Sequence, residues 1–369
     1  MSDDGTFMRL ALALGQRGLG TTWPNPSVGA VVVEPGTGRI RGTGATAPGG
    51  RPHGEPLALA AAGEAARGAT LYVTLEPCSH HGRTPPCTDA ILAAGIARVV
   101  SALEDPDPRV AGRGHDLLRQ GGVAVETGLM RAAAARDHIG HVTRVTRGRP
   151  ALHLKLARTR DGFCAAAGPE RLRITGPVAD GAVHLWRAHA DAILVGIGTA
   201  RADDPSLTVR LPGLSGRSPL RIVLDTHLRL SPASVLARTA RDTPTLVLTT
   251  RSAPAHARRA LEALGVEAAT VPADAAGGID LPAALAYLGS RGLTRLCSEG
   301  GPRLADALAR ADLIDTCTLI TGPVALGPAG GLPALGPALA EALASDRFRE
   351  AERAQCGPDE AVTYERNRI

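Results

Sequence analysis

The stretch Leu71-Tyr72-Val73-Thr74-Leu75-Glu76-Pro77-Cys78-Ser79-His80-His81-Gly82-Arg83-Thr84-Pro85-Pro86-Cys87 reads as a buried strand over 71–75, a proline turn, and a helix beginning near residue 86. Cys78 therefore follows a strand end, and Cys87 stands at a helix start, where the helix dipole lowers a thiol's pKa and favours the thiolate that binds metal. Upstream, His53-Gly54-Glu55 adds one imidazole and one carboxylate. Such a set meets the needs of a catalytic zinc site that removes amino groups from heterocycles. That chemistry requires three protein ligands, room for water, and an acid–base group that does not bind the metal.

His53, Cys78 and Cys87 are the candidate ligands, and Glu55 is the candidate general acid–base. Two thiolates with a neutral imidazole would balance the charge of a zinc ion, which leaves its water less acidic and makes a nearby base more important. Residues two apart on a regular helix point about 200° from one another, so His53 and Glu55 serve one cavity only at the first turn. Pro52 and Pro56 are consistent with a helix start there. A structural zinc site closed by His80 or His81, or a pair of core thiols, would use the same cysteines. However, their wide spacing departs from structural knuckles, and either reading leaves Glu55 without a task. Cys164, Cys297, Cys317 and Cys356 are isolated and read as core residues.

Working outward, 369 residues are too many for one ordinary core, and two domains are expected. Aromatic residues make up only 2%, so the core must be built from small and aliphatic side chains. A net charge of +5 and a pI near 9.1 suit phosphorylated small molecules. Nucleic acid is a poorer fit, because the arginines are scattered and lack interleaved aromatics. No apolar stretch reaches the roughly 20 residues needed to span a bilayer. The N-terminus does not read as a signal peptide, and six cysteines do not resemble a disulfide framework, so a cytoplasmic location is expected.

Alternating patterns predict helices at 5–20, 54–66, 86–94, 114–120 and 129–141, with strands at 28–34, 39–46, 71–75 and 99–103. After Arg147-Gly148-Arg149-Pro150 the alternation resumes. Strands are expected at 152–157, 192–196, 221–225, 246–249 and 295–298, helices at 177–189, 256–264, 281–290 and 302–310, and a terminal hairpin at 347–366. Both halves are therefore α/β, with domains at 1–147 and 148–369.

Pro24-Asn25-Pro26-Ser27-Val28-Gly29, Pro52-His53-Gly54-Glu55, the run Thr74 to Cys87, and Asp105-Pro106-Asp107-Pro108 together resemble the bifunctional riboflavin-biosynthesis deaminase–reductase family, over nearly the whole chain. The long Cys-to-Cys loop is typical of that family, which accounts for the spacing. The resemblance implies an N-terminal cytidine-deaminase-like α/β/α layer domain that hydrolyses the amino group of a phosphorylated diaminopyrimidine, using Zn2+. Asn25 would then line the pyrimidine pocket rather than serve only as a turn residue between two prolines, and His80, His81 and Arg83 would either meet the substrate phosphate or decorate a solvated loop.

Lys155-Leu156-Ala157, Ile174-Thr175-Gly176, Gly196-Ile197-Gly198-Thr199, Ala202-Asp203-Asp204-Pro205-Ser206-Leu207-Thr208-Val209-Arg210 and Glu299-Gly300-Gly301-Pro302 resemble the family's reductase half. This implies a C-terminal dihydrofolate-reductase-like α/β domain that uses NADPH to turn the ribosyl group into ribityl. Carried over by position, the cofactor would meet Ala157, Arg173, Thr199, Asp203, Thr226, Gly301, Pro302 and Arg303. The sugar phosphate would meet Arg171, Arg187, Leu207, Arg210 and Glu299. Arg171 and Arg173 replace residues usual in the family, as Thr159-Arg160-Asp161 replaces Ser-Leu-Asp. The glycines after 192–195 and 295–298 could admit a phosphate to bare N–H groups, but a full Rossmann fingerprint is missing. The resemblance also implies a homodimer or larger homo-oligomer. A nucleic-acid-editing deaminase and a zinc-stabilised binding module are the alternatives. The first gives no task to the second half of the chain, and the second gives none to Glu55.

Overall fold

The computed structural model describes residues 4–82, 84–166 and 172–367, with the backbone alone at Ala329. Two compact units emerge, Met1–Arg149 with Gly292–Thr294, and Pro150–Arg291 with Arg295–Ile369.

The first unit runs α1 (Asp4–Gln16), β1 (Gly29–Val33), β2 (Ile40–Ala45), α2 (Gly54–Ala62), β3 (Thr70–Val73), α3 (Cys87–Ala93), β4 (Arg98–Ser101), α4 (Arg113–Gln120), β5 (Ala124–Thr127), α5 (Arg131–Asp137) and α6 (Ile139–Arg147). Its sheet has the order β2-β1-β3-β4-β5, with β1 antiparallel to both neighbours and β3, β4 and β5 parallel. Strand β1 (Gly-Ala-Val-Val-Val) is buried throughout, as a central strand covered on both faces should be.

Glycine explains how closely the covering helices approach. A Cβ on Gly29 would lie 1.8 Å from the carbonyl oxygen of Ala11 in α1, and one on Gly44 would lie 2.2 Å from that of Gly54 in α2. Gly29 pairs with Ala45 and Ala30 with Gly44, so Gly29 and Gly44 point to opposite faces, and α1 and α2 cover the sheet from opposite sides. Helix α5 packs beside α1, while α3 packs against α2 and α4. The result is an α/β/α sandwich around Val31, Leu71, Val73, Val99 and Ile91.

Three local expectations need correction. The helix expected over 5–20 stops at Gln16 and continues as turns. That expected over 129–141 breaks at His138 into α5 and α6. Strand β5 was not expected, because Ala124–Thr127 is mostly exposed at the sheet edge and carries no apolar alternation.

The second unit contains β6 (Ala151–Arg158), β7 (Phe163–Ala166), α7 (Pro177–Ala188), β8 (Ala192–Gly196), α8 (Ile197–Asp203), β9 (Leu220–Leu224), α9 (Val235–Arg238), β10 (Thr245–Thr249), α10 (Ala255–Glu262) and β11 (Glu267–Thr270). It continues with α11 (Leu281–Ser290), β12 (Arg295–Ser298), α12 (Pro302–Arg310), β13 (Thr316–Thr321), β14 (Gly331–Pro333), α13 (Pro337–Ala344), β15 (Phe348–Cys356) and β16 (Asp359–Arg366). A nine-stranded sheet has the order β11-β10-β9-β8-β12-β6-β13-β16-β15. It is parallel from β11 to β13, and the expected C-terminal hairpin β15–β16 extends it antiparallel. β7 and β14 form a separate ribbon. Strand β13 (Thr-Cys-Thr-Leu-Ile-Thr) and strand β11 were not anticipated, nor were helices α8, α9 and α13.

Candidate active sites

In the first unit, His53 is the N-cap of α2, with an extended backbone (φ −68°, ψ 165°), and Glu55 follows in the first turn. The break in helical geometry at His53 frees its ring from the 100° helical step and turns it toward the cysteines. Cys87 begins α3. Its backbone N–H donates to the Cys78 sulfur at 3.3 Å, so the helix end itself supports that thiolate. His53 Nδ1 lies 3.7 Å from Cys78 Sγ and 3.4 Å from Cys87 Sγ. All three ligand atoms lie within 4.8 Å of one another.

These distances test the fit of zinc. With Zn–N near 2.0–2.1 Å and Zn–S near 2.3 Å, a tetrahedral ion holds nitrogen and sulfur about 3.6 Å apart. The observed separations bracket that value, so the donor set fits zinc through Nδ1. Neither His80 nor His81 joins the cluster among the described residues, so the closed structural site lacks its fourth ligand. Arg83 lies outside the described residues.

Electrostatics separate the two sulfurs. Hydrogen bonds from the Cys87 thiol, from His53 and from the Cys87 N–H hold Cys78 down to about 4. Cys87, beside Cys78 and buried near Glu55, is pushed up. It gives up its proton only against a cation. Hydrogen bonding to Cys78 also raises His53. Glu55 is 3% exposed, and burial, together with the Cys78 charge, lifts its carboxyl to about 7. Its Oε2 is buried without a partner, which marks the place where an exchangeable proton or a water would sit. Asn25 donates through Nδ2 to Gly50 O at 2.8 Å, tying its turn to the segment that leads into His53.

Glu76 is a buried anchor beside the site that its sequence neighbours do not reveal. Its buried carboxylate accepts from the backbone N–H of Asp105 (3.1 Å), Gly112 (3.0 Å), Gly114 (2.9 Å) and His115 (3.3 Å). It thus holds the Asp105–Asp107 loop and the start of α4 against the turn that bears Cys78. A charged residue at the end of a buried strand was the available signal.

In the second unit the expected residues gather at one edge. Ala157 lies near the end of β6, Thr199 just past β8, Thr226 just past β9, and Glu299 to Arg303 just past β12. All four strands are parallel, so their C-terminal ends open on the same side, where nucleotides bind open α/β sheets. Gly196 and Gly301 are the N-caps of α8 and α12, and Thr199 Oγ1 accepts from Gly301 N at 3.1 Å. A Cβ on Gly198 would meet nothing within 4 Å. The start of α8, where Gly198 leaves its backbone unobstructed beside the start of α12, fits the phosphates of a dinucleotide such as NADPH. Pro302 and Arg303 open α12, and Asp203 closes α8.

Arg187, in the last turn of α7, forms a bidentate pair with Glu299, with N–O distances of 2.6 and 2.8 Å. Burial would raise the Glu299 carboxyl, but Arg187, then Lys155 and His184, outweigh it and hold it low. Arg210 Nη1 donates to Ser206 Oγ at 2.9 Å, and its backbone N–H donates to His184 Nδ1 at 3.2 Å. Leu207 is buried with φ +52°. Arg173 is exposed and engaged by Asp180 at 3.2 Å and by the Thr175 carbonyl at 3.3 Å. Arg171 lies outside the described residues. Of the neighbouring acids, Asp204 takes a capping role, accepting from Val235 N at 2.8 Å.

Comparison with known proteins agrees with this geometry in both units. Residues 1–103 match the cytidine and deoxycytidylate deaminase zinc-binding region, and residues 150–360 match the RibD C-terminal domain. The chain is 41% identical to riboflavin biosynthesis protein RibD of Escherichia coli, covering 96% of this chain and 97% of that one. It is 37% identical to the Aquifex aeolicus RibD, covering 98% of each. Among solved structures, Acinetobacter baumannii RibD superposes with a TM-score of 0.85 at 33% identity, covering 99% of both chains. The Thermotoga maritima diaminohydroxyphosphoribosylaminopyrimidine deaminase/5-amino-6-(5-phosphoribosylamino)uracil reductase does so at 0.84 and 32%, again over 99% of each.

Proposed function

The chain belongs to the RibD family of riboflavin-biosynthesis proteins, zinc-dependent deaminase and NADPH-dependent reductase in one polypeptide, and we propose that its two activities divide between residues 1–147 and 148–369. It deaminates the phosphorylated diaminopyrimidine and then reduces the ribosyl side chain of the product to ribityl.

In the deaminase, His53 Nδ1, Cys78 and Cys87 would hold a zinc ion. When bound, the ion supplies Lewis-acid activation of the attacking water. Glu55 would take up a proton from an attacking water and hand protons to the ring nitrogen and to the departing amine. A buried carboxyl raised from its ordinary value can both take up and release a proton. Asn25 presents its amide to the pyrimidine edge, where it can donate and accept. The convergence of three ligand atoms beside a buried, half-unpartnered Glu55 is the observation that carries this reading.

In the reductase, Ala157, Arg173, Thr199, Asp203, Thr226 and the Gly301–Arg303 helix start receive NADPH. Arg187, Leu207, Arg210 and Glu299, together with Arg171, receive the sugar phosphate. Hydride transfer is the cofactor's chemistry, and the protein supplies alignment and charge. A cytoplasmic enzyme that assembles as a homodimer or larger homo-oligomer completes the proposal, and the open edge of β15 leaves a strand free for such pairing.

Glu55→Gln tests the reading. The variant should keep zinc and stop releasing ammonia, while NADPH oxidation on deaminated substrate persists. Ammonia release at the wild-type rate rejects Glu55 as the acid–base group.

A further inference from the structure

We infer that Arg221 is a positioning residue for the reductase: its buried guanidinium pins the 203–210 loop in the shape that presents Leu207 and Arg210 to the sugar phosphate. The loop holds left-handed backbone at two non-glycine residues, Asp204 (φ +37°) and Leu207 (φ +52°). A bulky residue keeps such a conformation only where its surroundings impose it, and such positions cluster at functional sites. Asp204 is held from one side by the Val235 N–H. Between the two strained residues, the carbonyl of Ser206 accepts from Arg221 Nη1 at 3.2 Å.

Arg221 lies on β9 and is fully buried. Its other acceptors are Thr239 Oγ1 (2.8 Å), Thr239 O (3.1 Å), Leu236 O (3.3 Å) and the Thr243 carbonyl, from α9 and the segment that follows it. Placing a cation among helix-end carbonyls is favourable, but burying one at all is expensive, so the site uses its charge to join segments that would otherwise separate. The Ser206 link is the one that reaches the substrate loop. Ser206 Oγ in turn accepts from Arg210, so the chain of contacts runs from Arg221 through Ser206 to a phosphate-facing guanidinium.

This inference rests on the reading of Leu207 and Arg210 as substrate contacts, and the test separates the two. In the full-length holoenzyme, Arg221→Met should raise the KM for 5-amino-6-(5-phosphoribosylamino)uracil about tenfold or more, while NADPH affinity and ammonia release stay within about twofold of wild type. An unchanged KM, even with a lowered melting temperature, overturns the inference, because Arg221 would then only stabilise the fold. Loss of NADPH binding as well overturns it too, since the clamp would not be local. Arg210→Ala, run in parallel, must itself raise the KM. If it does not, the substrate reading fails; if it does and Arg221→Met does not, the positioning role fails. Should Arg221→Met be insoluble, Arg221→Lys keeps the buried charge but loses the planar fork that reaches Ser206 O and the Thr239 acceptors together. A rise of about threefold in the same KM is then expected, and no rise rejects the role.

Discussion

Arg187 grips Glu299 along two parallel edges, Nε to Oε1 at 2.6 Å and Nη2 to Oε2 at 2.8 Å, while Nη1 donates to Thr208 O at 3.0 Å. Only the outer N–H of each terminal nitrogen remains for a ligand. The two residues proposed to meet the sugar phosphate are therefore one rigid unit rather than two independent contacts. Glu299 keeps the cation aimed, and Arg187 keeps the buried carboxylate charged.

That pairing predicts an asymmetric mutational response. Both side chains are close to buried, 11% and 9% exposed. Removing one partner of such a pair strands the other charge, so Arg187→Met should destabilise the second unit by about 3–5 kcal/mol. Replacing both, as Arg187→Met with Glu299→Leu, should recover most of that stability and none of the reductase activity. Urea unfolding monitored in the full chain, with ammonia release as the internal control, checks both halves. A single variant as stable as wild type would mean the pair is solvated in solution.

Glu76 should matter to zinc although it does not touch it. Four N–H groups converge on its carboxylate, and the turn that follows carries Cys78. Glu76→Ala leaves those donors unsatisfied, and groups that orient metal ligands typically govern affinity by about 10–100-fold. Zinc should therefore be lost to a chromophoric chelator at concentrations that leave the wild type loaded, while NADPH oxidation on deaminated substrate continues. Wild-type zinc retention would reduce Glu76 to a loop anchor with no influence on the ligands.

An alkaline transition is expected in the deaminase unit. Tyr72 is 2% exposed, its hydroxyl donates to Asp4, and burial first, then the Asp4 carboxylate, raise it from 10.0 to about 12. The folded state favours the neutral phenol. Its contribution is fully present below pH 10, the unfolded value, and is lost as pH climbs toward 12. Two pKa units correspond to at most about 2–3 kcal/mol. Melting temperatures between those limits should fall more steeply for the wild type than for Tyr72→Phe. Parallel slopes would show that Tyr72 ionises as freely as in the unfolded chain.

What the sequence makes legible is what depends on near neighbours. Prolines place the break before Cys87, and the His-x-Glu spacing demands a helix start, which the structure supplies with His53 as N-cap. Apolar runs reveal strands covered on both faces, such as Ala192–Gly196. Features created by distant partners leave no such mark. Glu76 meets donors 29 to 39 positions away, and Arg187 meets Glu299 across 112. Arg221 reads only as the first residue of a strand until its carbonyl partners assemble. The edge strand Ala124–Thr127 is missed because, being exposed, it needs no apolar pattern.

The seating of α2 gives the most stringent test of how fold and chemistry are joined. A Cβ on Gly44 would lie 2.2 Å from Gly54 O and 2.6 Å from Ala58 N, both backbone atoms that cannot swing aside. Gly44→Ala must therefore lift the first turn of α2 away from β2, and that turn carries both His53 and Glu55. Overpacking of this kind costs about 1–3 kcal/mol, which a fold of this size survives. Chemistry is less forgiving, since a displacement near 1 Å of a reacting group loses on the order of 10²-fold. Ammonia release should fall by at least that factor and zinc should bind more weakly, while NADPH oxidation on deaminated substrate stays at the wild-type rate. Full deaminase activity in Gly44→Ala would mean that the helix start is not set by its contact with the strand, and the geometry assigned to His53 and Glu55 would have to be rebuilt from another support.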